Sequence, residues 1–100
     1  MTDNRTRSDD LPLAAHRAKI DDIDEQIVGL LCDRMKIAHE IAAIKRQQGT
    51  PVTDSGREEQ VIARLAGLVH GPTSAAMLKD IYAQIFAVSK KIQREDGSRS

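Results

Sequence analysis

Two basic residues, Arg34 and Lys45, lie in or beside a stripe of apolar residues that recurs at three- and four-residue spacing. Such a stripe is typical of an amphipathic helix whose apolar face points inward. The two residues are 11 positions apart, so at about 100° per residue they point within roughly 20° of each other. Two like charges on an inward face cost folding free energy unless an anion or a carboxylate pairs with them. The placement therefore predicts a pocket for an acidic small molecule.

Polar residues that the helical pattern does not explain occur at two further places. Asp54, Arg57 and Glu58 come where a second helix begins. Ser89 and Gln93 are four positions apart, so they share one face of a third helix. The sequence shows no metal-ligand cluster, no glycine-rich phosphate loop and no catalytic triad.

Arg17 requires a different arrangement. It comes 17 positions before Arg34, which is a rotation of roughly 100° around the helix. It therefore cannot easily line the same pocket from the same helix. In a dimer with antiparallel long helices, Arg17 can instead reach the pocket of the partner chain.

The first helix is the longest element that the sequence predicts. Its apolar stripe extends over Leu13–Lys45, and the helix is expected to continue to about Gln47 or Gln48. The Gly49–Pro51 segment ends it, because glycine commonly closes a helix and proline commonly follows.

Two shorter helices follow the first. Ser55 and Glu58 have the spacing of a capping box, which predicts a second helix that ends near His70. Thr73 or Ser74 can cap a third helix. The predicted fold class is all-α, with one long and two shorter helices in each chain.

Polar segments flank this helical region. Residues 1–10 lack periodicity and are predicted to be a disordered N-terminal tail. Residues 95–100 are predicted to be a loose C-terminal tail. The helical domain accordingly spans residues 11–94.

Composition restricts the partners and the compartment. The 15 Lys and Arg residues balance 15 Asp and Glu residues, which argues against nucleic-acid binding. No apolar run is long enough to cross a membrane and no signal peptide is visible, so we expect a cytoplasmic protein without membrane association. The single cysteine, Cys32, cannot form an internal disulfide and is predicted to be a small core residue. The three histidines lack metal-ligand spacing, and no metal is predicted.

The length of the first helix indicates a homodimer. About 34 residues at 1.5 Å each give a rod of roughly 50 Å, whereas a compact 100-residue domain has a radius of gyration near 13 Å. The two shorter helices cannot cover the whole apolar stripe of such a rod. We therefore expect an intertwined homodimer, a bundle of six helices, in which a second copy of the chain covers the rest of the stripe.

The candidate residues together resemble the motif of a known family, the small all-α class of chorismate mutases. The matching residues are Arg17, Asp33-Arg34, Lys45, Asp54-Ser-Gly-Arg57-Glu58 and Ser89-Lys-Lys-Ile-Gln93. The resemblance covers about residues 13–94, with the family's order and spacing. No position that the family uses chemically departs from the pattern.

The resemblance implies a unimolecular Claisen rearrangement of chorismate to prephenate, a step of the shikimate pathway in aromatic amino-acid biosynthesis. This reaction needs no cofactor, nucleophile or proton transfer. Catalysis would come from holding the compact conformer of the substrate and from stabilising charge on the breaking ether oxygen.

The resemblance also implies roles for individual residues. Arg34, together with Arg17 of the partner subunit, would bind the two substrate carboxylates, and Arg57 would help to hold this cluster. Lys45 and Gln93 would donate to the ether oxygen. Gln93 would act as a neutral donor, since a glutamate would donate only when protonated.

The remaining implied roles concern the ring hydroxyl and a carboxylate. Glu58 and Asp54 would fix the ring hydroxyl, and Ser89 would assist a carboxylate. The resulting catalytic set is Arg34, Lys45, Glu58 and Gln93.

Three alternatives stay open at this point. A mutase acting on 4-amino-4-deoxychorismate in antibiotic biosynthesis differs only in the ring substituent, and Glu58 can receive a hydroxyl or an amine. Isochorismate pyruvate lyase shares the helical fold but generally lacks the Asp54, Arg57 and Glu58 pattern. A non-catalytic helical dimerisation module would have no reason to bury Arg34 with Lys45. The sequence does not indicate whether another enzyme docks on the chain.

Overall fold

The computed structural model describes residues 11–51 and 55–99. Within these residues, the regular secondary structure consists of three helices: α1 (Leu11–Gln48), α2 (Ser55–Ala66) and α3 (Ala75–Arg99). The all-α fold class with one long and two shorter helices is confirmed. The predicted N-terminal tail, residues 1–10, lies outside the described residues.

The end of α1 confirms the helix stop predicted from the sequence. Gly49 has a φ of 69°, in the left-handed region that favours glycine. Its backbone N–H donates to the carbonyl of Arg46 at 3.3 Å, and the N–H of Thr50 donates to the carbonyl of Lys45 at 2.9 Å. These two bonds form a Schellman motif, which satisfies carbonyls that the helix would otherwise leave unpaired.

The chain divides into two units, of which the first is Met1–Arg34. Its described part is the N-terminal part of α1. Every described side chain from Pro12 to Leu30 is exposed. The exposed residues include large apolar side chains of the predicted stripe: Leu13, Ile20, Ile23, Ile27 and Leu30. Cys32, predicted to be a small core residue, is also exposed; that prediction is wrong for this chain, because its stretch of α1 contains mainly exposed residues.

The second unit, Met35–Ser100, contains the rest of α1 together with α2 and α3. Helices α2 and α3 pack against each other. The buried apolar residues of the described part of the chain all lie in this unit: Ala38, Ala42, Val61 and Phe86. Phe86 also contacts Tyr82 edge to face, with 5.6 Å between the ring centroids.

Helix α2 is shorter than the sequence pattern predicts. It ends at Ala66, four residues before His70, where the pattern placed its end. The N–H groups of Gly67 and Leu68 donate three positions back, to Arg64 and Leu65, so the chain leaves the helix through a tight turn. We attribute the early end to Gly67, which lowers helix propensity there.

Helix α3 begins as predicted and ends later than predicted. The hydroxyl of Ser74 accepts the backbone N–H of Met77 at 3.2 Å, which confirms Ser74 as its N-cap. The helical backbone continues to Arg99, beyond the predicted end at Arg94. Segment 95–99 contains one glycine and no proline, and a single glycine costs a helix only about 1 kcal/mol.

Apolar residues of the second unit are exposed as well. They belong to all three helices or their flanks: Ile37, Ile41, Ile44, Leu68, Met77, Ile81 and Val88. None of the helices in the described part of the chain is long and apolar enough to span a membrane.

Replacing Gly49 by alanine should lower the free energy of unfolding by about 1 kcal/mol, because a left-handed backbone is strained for a residue with a Cβ. Urea denaturation measures the change. Gly67→Ala is the matched control, since a Cβ at Gly67 meets only the Arg64 carbonyl oxygen at an ordinary 3.6 Å. Equal losses in both variants would contradict the role given to the Gly49 backbone.

Candidate functional site

All three helices carry candidate residues of the second unit. Lys45 lies in the last turn of α1 and is half-buried. Arg57 and Glu58 lie in the first turn of α2, where Arg57 is exposed and Glu58 is half-buried. Ser89 and Gln93 are buried on α3.

The other candidates lie outside this unit or outside the described residues. Arg17 and Arg34 belong to the first unit, where Arg17 is exposed and Arg34 is half-buried. Asp54 falls in segment 52–54, which lies outside the described residues, so its predicted role stays a prediction.

Burial of Arg34 and Lys45 is only partial within this chain. The apolar residues nearest to them in the stripe, including Ile37, Ile41 and Ile44, are exposed. Each of the two basic side chains interacts with another group of the protein. The inward placement predicted for the two charges is therefore only partly present among the described residues, because little of the stripe is covered there.

Ser89 and Gln93 are the buried polar pair among the described residues, each with 8% of its surface exposed. The Gln93 side-chain nitrogen, Nε2, donates to Ser89 Oγ over a long 3.5 Å. In the described part of the chain, no donor reaches the buried amide oxygen, Gln93 Oε1. A buried polar atom without a partner costs about 1–3 kcal/mol.

The two ends of the Gln93 amide have nearly the same shape, so the amide also fits this space when turned over. In that orientation Ser89 donates to Oε1, and Nε2 occupies the position that lacks a partner. Either way, one end of the amide contacts Ser89 while the other lacks a hydrogen-bond partner among the described residues.

Glu58 is held by a residue that the sequence analysis did not select. The ammonium nitrogen of Lys90, Nζ, lies 3.3 Å from Glu58 Oε2, and the side chains are 26% and 27% exposed, respectively. Of the adjacent residues Lys90 and Lys91, only Lys91 is exposed. Lys90 comes four positions after the buried Phe86, and this spacing is the signal that could have revealed it.

A cleft of about 540 Å³ lies between α2 and α3. Its lining combines an apolar floor with charged and polar side chains: Ser55, Glu58, Glu59, Ile62, Ala63, Lys79, Ala83, Phe86 and Lys90. Its volume lies in the range of small-molecule sites. Of the described candidate residues, only Glu58 belongs to this lining, so the cleft by itself does not form the predicted site.

Among residues 11–51 and 55–99, no three His, Cys, Asp or Glu side chains are grouped so as to hold a metal ion. The functional groups that the described residues bring together are an amide, a hydroxyl and an ion pair. They can orient and stabilise a polar ligand.

Comparisons with known proteins address the resemblance found in the sequence. The sequence profile of the family "Chorismate mutase type II" matches residues 16–94. A chorismate mutase of Methanocaldococcus jannaschii is 41% identical over 56 residues, which are 56% of this chain and 57% of that protein. The bifunctional chorismate mutase/prephenate dehydratase of Escherichia coli K12 is 39% identical over 57 residues, 57% of this chain and 15% of the enzyme.

Solved structures agree with this assignment over longer stretches. A chorismate mutase from Helicobacter pylori, in complex with prephenate, has a TM-score of 0.83 and 31% identity, and the match covers 91% of this chain and 99% of that one. Form II of the chorismate mutase from Thermus thermophilus has a TM-score of 0.80 and 26% identity, over 83% and 94% of the two chains.

The matched stretch spans little more than half of the Methanocaldococcus jannaschii relative and about a seventh of the Escherichia coli enzyme. The family profile, in contrast, extends over about four fifths of this chain and includes every candidate residue from Arg17 to Gln93. The chain therefore belongs to the type II chorismate mutase family.

Proposed function

We propose that this protein is a chorismate mutase, an isomerase that converts chorismate to prephenate without a cofactor. The observation that carries the proposal is the family match over residues 16–94, within which all the candidate site residues fall. The Helicobacter pylori structure, 31% identical, is a complex with prephenate. That complex supports the same class of ligand here.

The rearrangement takes place within one molecule, as an ether C–O bond breaks and a C–C bond forms. The protein therefore has no need to supply a nucleophile or a proton. It must hold the compact conformer and stabilise negative charge on the ether oxygen, and both tasks require fixed donors and cations. The candidate side chains are of these types.

Gln93 and Lys45 are the donors that we assign to the ether oxygen. Gln93 is buried, and Ser89 holds one end of its amide, so that Nε2 in the turned orientation has no partner among the described residues and can donate to the substrate. Lys45, half-buried in the last turn of α1, supplies a second, charged donor.

Arginines are the residues that we assign to the two substrate carboxylates. A guanidinium matches a carboxylate with two parallel hydrogen bonds. We assign Arg34 from one chain and Arg17 from the partner subunit, with Arg57 and Ser89 in support. The exposure of Arg17 in its own chain agrees with a role at the pocket of another chain.

Glu58 and Asp54 are assigned to the ring hydroxyl. The carboxylate of Glu58 is held by Lys90 through one oxygen. Glu58 also lines the open cleft between α2 and α3, and a carboxylate can accept several hydrogen bonds. Asp54 precedes α2 in the sequence, and its assignment rests on the family motif alone.

A homodimer is part of the proposal, with the two long helices intertwined in a bundle of six. The support is the stripe of large apolar side chains that α1 leaves exposed from Leu13 to Ile44. Burying one such side chain stabilises a protein by about 1.5–3 kcal/mol. A second copy presents the same stripe, so self-association covers both.

We place the enzyme in the cytoplasm, as a step of aromatic amino-acid biosynthesis in the shikimate pathway. Cys32 is a free thiol, which a reducing compartment preserves. The Escherichia coli relative unites a chorismate mutase with a prephenate dehydratase, which supports further conversion of prephenate.

Purified protein is expected to convert chorismate to prephenate, identified by chromatography and mass, faster than buffer alone. The same assay with isochorismate should release no pyruvate, since the motif of Asp54, Arg57 and Glu58 favours a mutase over a lyase. Pyruvate release would make the protein a lyase. A lack of turnover with either substrate would leave a mutase specific for 4-amino-4-deoxychorismate, a mutase that depends on a partner enzyme, or a helical dimerisation module.

Mixing two inactive variants tests the shared site. Arg17→Ala and Arg34→Ala chains refolded together should recover about a quarter of wild-type activity, because half of the dimers are mixed and each has one intact pocket. Either variant refolded alone is the control, and gel filtration verifies dimer formation. No recovery in the mixture would show that the two arginines do not act across the interface.

Replacing Gln93 by methionine should reduce the activity without lowering the stability of the fold. Losing the unpaired end of the amide should keep or raise the free energy of unfolding, by up to about 1 kcal/mol, while losing the donor should reduce kcat about 100-fold or more. Gln84→Met, at an exposed position of α3, is the matched control. A variant that stays active, or one that is clearly destabilised, would contradict the role of Gln93.

A further inference from the structure

The ion pair between Glu58 and Lys90 links α2 to α3 at the wall of the cleft between them. The two charged atoms are 3.3 Å apart, and about a quarter of each side chain is exposed. The pair borders an apolar floor that includes Ile62 and Phe86. Charges interact more strongly beside apolar side chains than in bulk water, because the local dielectric constant is lower.

Lys90 stands beside the candidate residues of α3. It directly follows Ser89 and comes three positions before Gln93, which places it next to Gln93 on the helix surface. Lys91, the next residue, has the same charge but is exposed. The two lysines are therefore a natural pair for comparison, since only Lys90 is engaged with Glu58.

Two other charged residues line the same cleft, Glu59 on α2 and Lys79 on α3. Both are exposed, so water and salt weaken their effect at a distance. Their charges are opposite, and they leave the sum over the four charged lining residues at zero. Among the four charged lining residues, Lys90 is the cation that lies 3.3 Å from Glu58 Oε2.

We propose that Lys90 is a specificity-determining residue, which makes the site select a substrate with a neutral ring hydroxyl over an analogue with a ring ammonium. The inference rests on the proposed function, in which Glu58 receives the ring substituent of chorismate. Lys90 acts through Glu58 and is not itself a catalytic residue.

A ring hydroxyl is compatible with the ion pair. Lys90 engages one oxygen of Glu58, Oε2, and the other oxygen can accept the hydroxyl proton, because a carboxylate has about four acceptor positions. The hydroxyl adds no charge. The pair therefore stays intact when such a substrate binds, and it holds the Glu58 carboxylate in position.

A ring ammonium is disfavoured by the same pair. It would bring a second cation to a carboxylate whose charge Lys90 already balances, within a few ångströms of the lysine ammonium. Like charges at that range repel, and a repulsive contact of this kind is an effective means of rejecting a close analogue. Without Lys90, the unpaired Glu58 carboxylate would attract the ammonium instead.

The experiment compares kcat/KM for chorismate and for 4-amino-4-deoxychorismate in four proteins: wild type, Lys90→Gln, Lys90→Arg and Lys91→Gln. Wild type is expected to prefer chorismate by at least about tenfold. Lys90→Gln should reduce this preference about tenfold or more, mainly through a lower KM for the amino analogue. Lys90→Arg keeps the positive charge and should retain the preference.

Lys91→Gln removes the same charge one residue away and should leave the preference unchanged. Circular dichroism of each variant verifies the helical fold. If Lys90→Gln reduced kcat/KM equally for both substrates, or left their ratio unchanged, Lys90 would have no role in specificity and the inference would be overturned. If the wild-type protein did not convert chorismate at all, the proposed function itself would fail, and this inference with it.

Discussion

The long first helix presents an apolar stripe that its own chain leaves uncovered. Most large apolar side chains of this stripe from Leu13 to Ile44 are exposed, whereas the buried apolar residues of the described part of the chain lie in the second unit. Hydrophobic burial is the main favourable term in folding, so a helix of this kind requires a further apolar surface. In the proposed homodimer, a second copy of the chain provides this surface, and the partly buried Arg34 and Lys45 become more enclosed.

On α3, the buried amide of Gln93 lowers the stability of the fold, so stability alone does not explain why a polar residue lies there. Gln93 is buried, and one end of its amide has no partner in the described part of the chain, although an apolar side chain of similar size would fill the same space. Such unsatisfied groups are often found where a protein binds a ligand. In a mutase, an amide that stays neutral over a wide pH range is a suitable donor for an oxygen that gains negative charge.

In the proposed function, the charge next to Glu58 determines which ring substituent the site accepts. The packing of α2 on α3 brings Lys90 to the carboxylate, so that a structural contact also sets the local charge. A neutral ring substituent and a cationic one differ by a single charge. In the proposed specificity, the placement of one ammonium, that of Lys90, discriminates between them.

The sequence by itself determined the three helices, the stop at Gly49, a cap at Thr73 or Ser74 and the family to which the chain belongs. These features depend on periodicity, on caps and on a spaced motif, and all of them are local or ordered along the chain. The tertiary structure decided that Lys90 pairs with Glu58 and that Gln93 is buried beside Ser89. Residues 58 and 90 are far apart in sequence, and only the packing of their helices determines which charges meet.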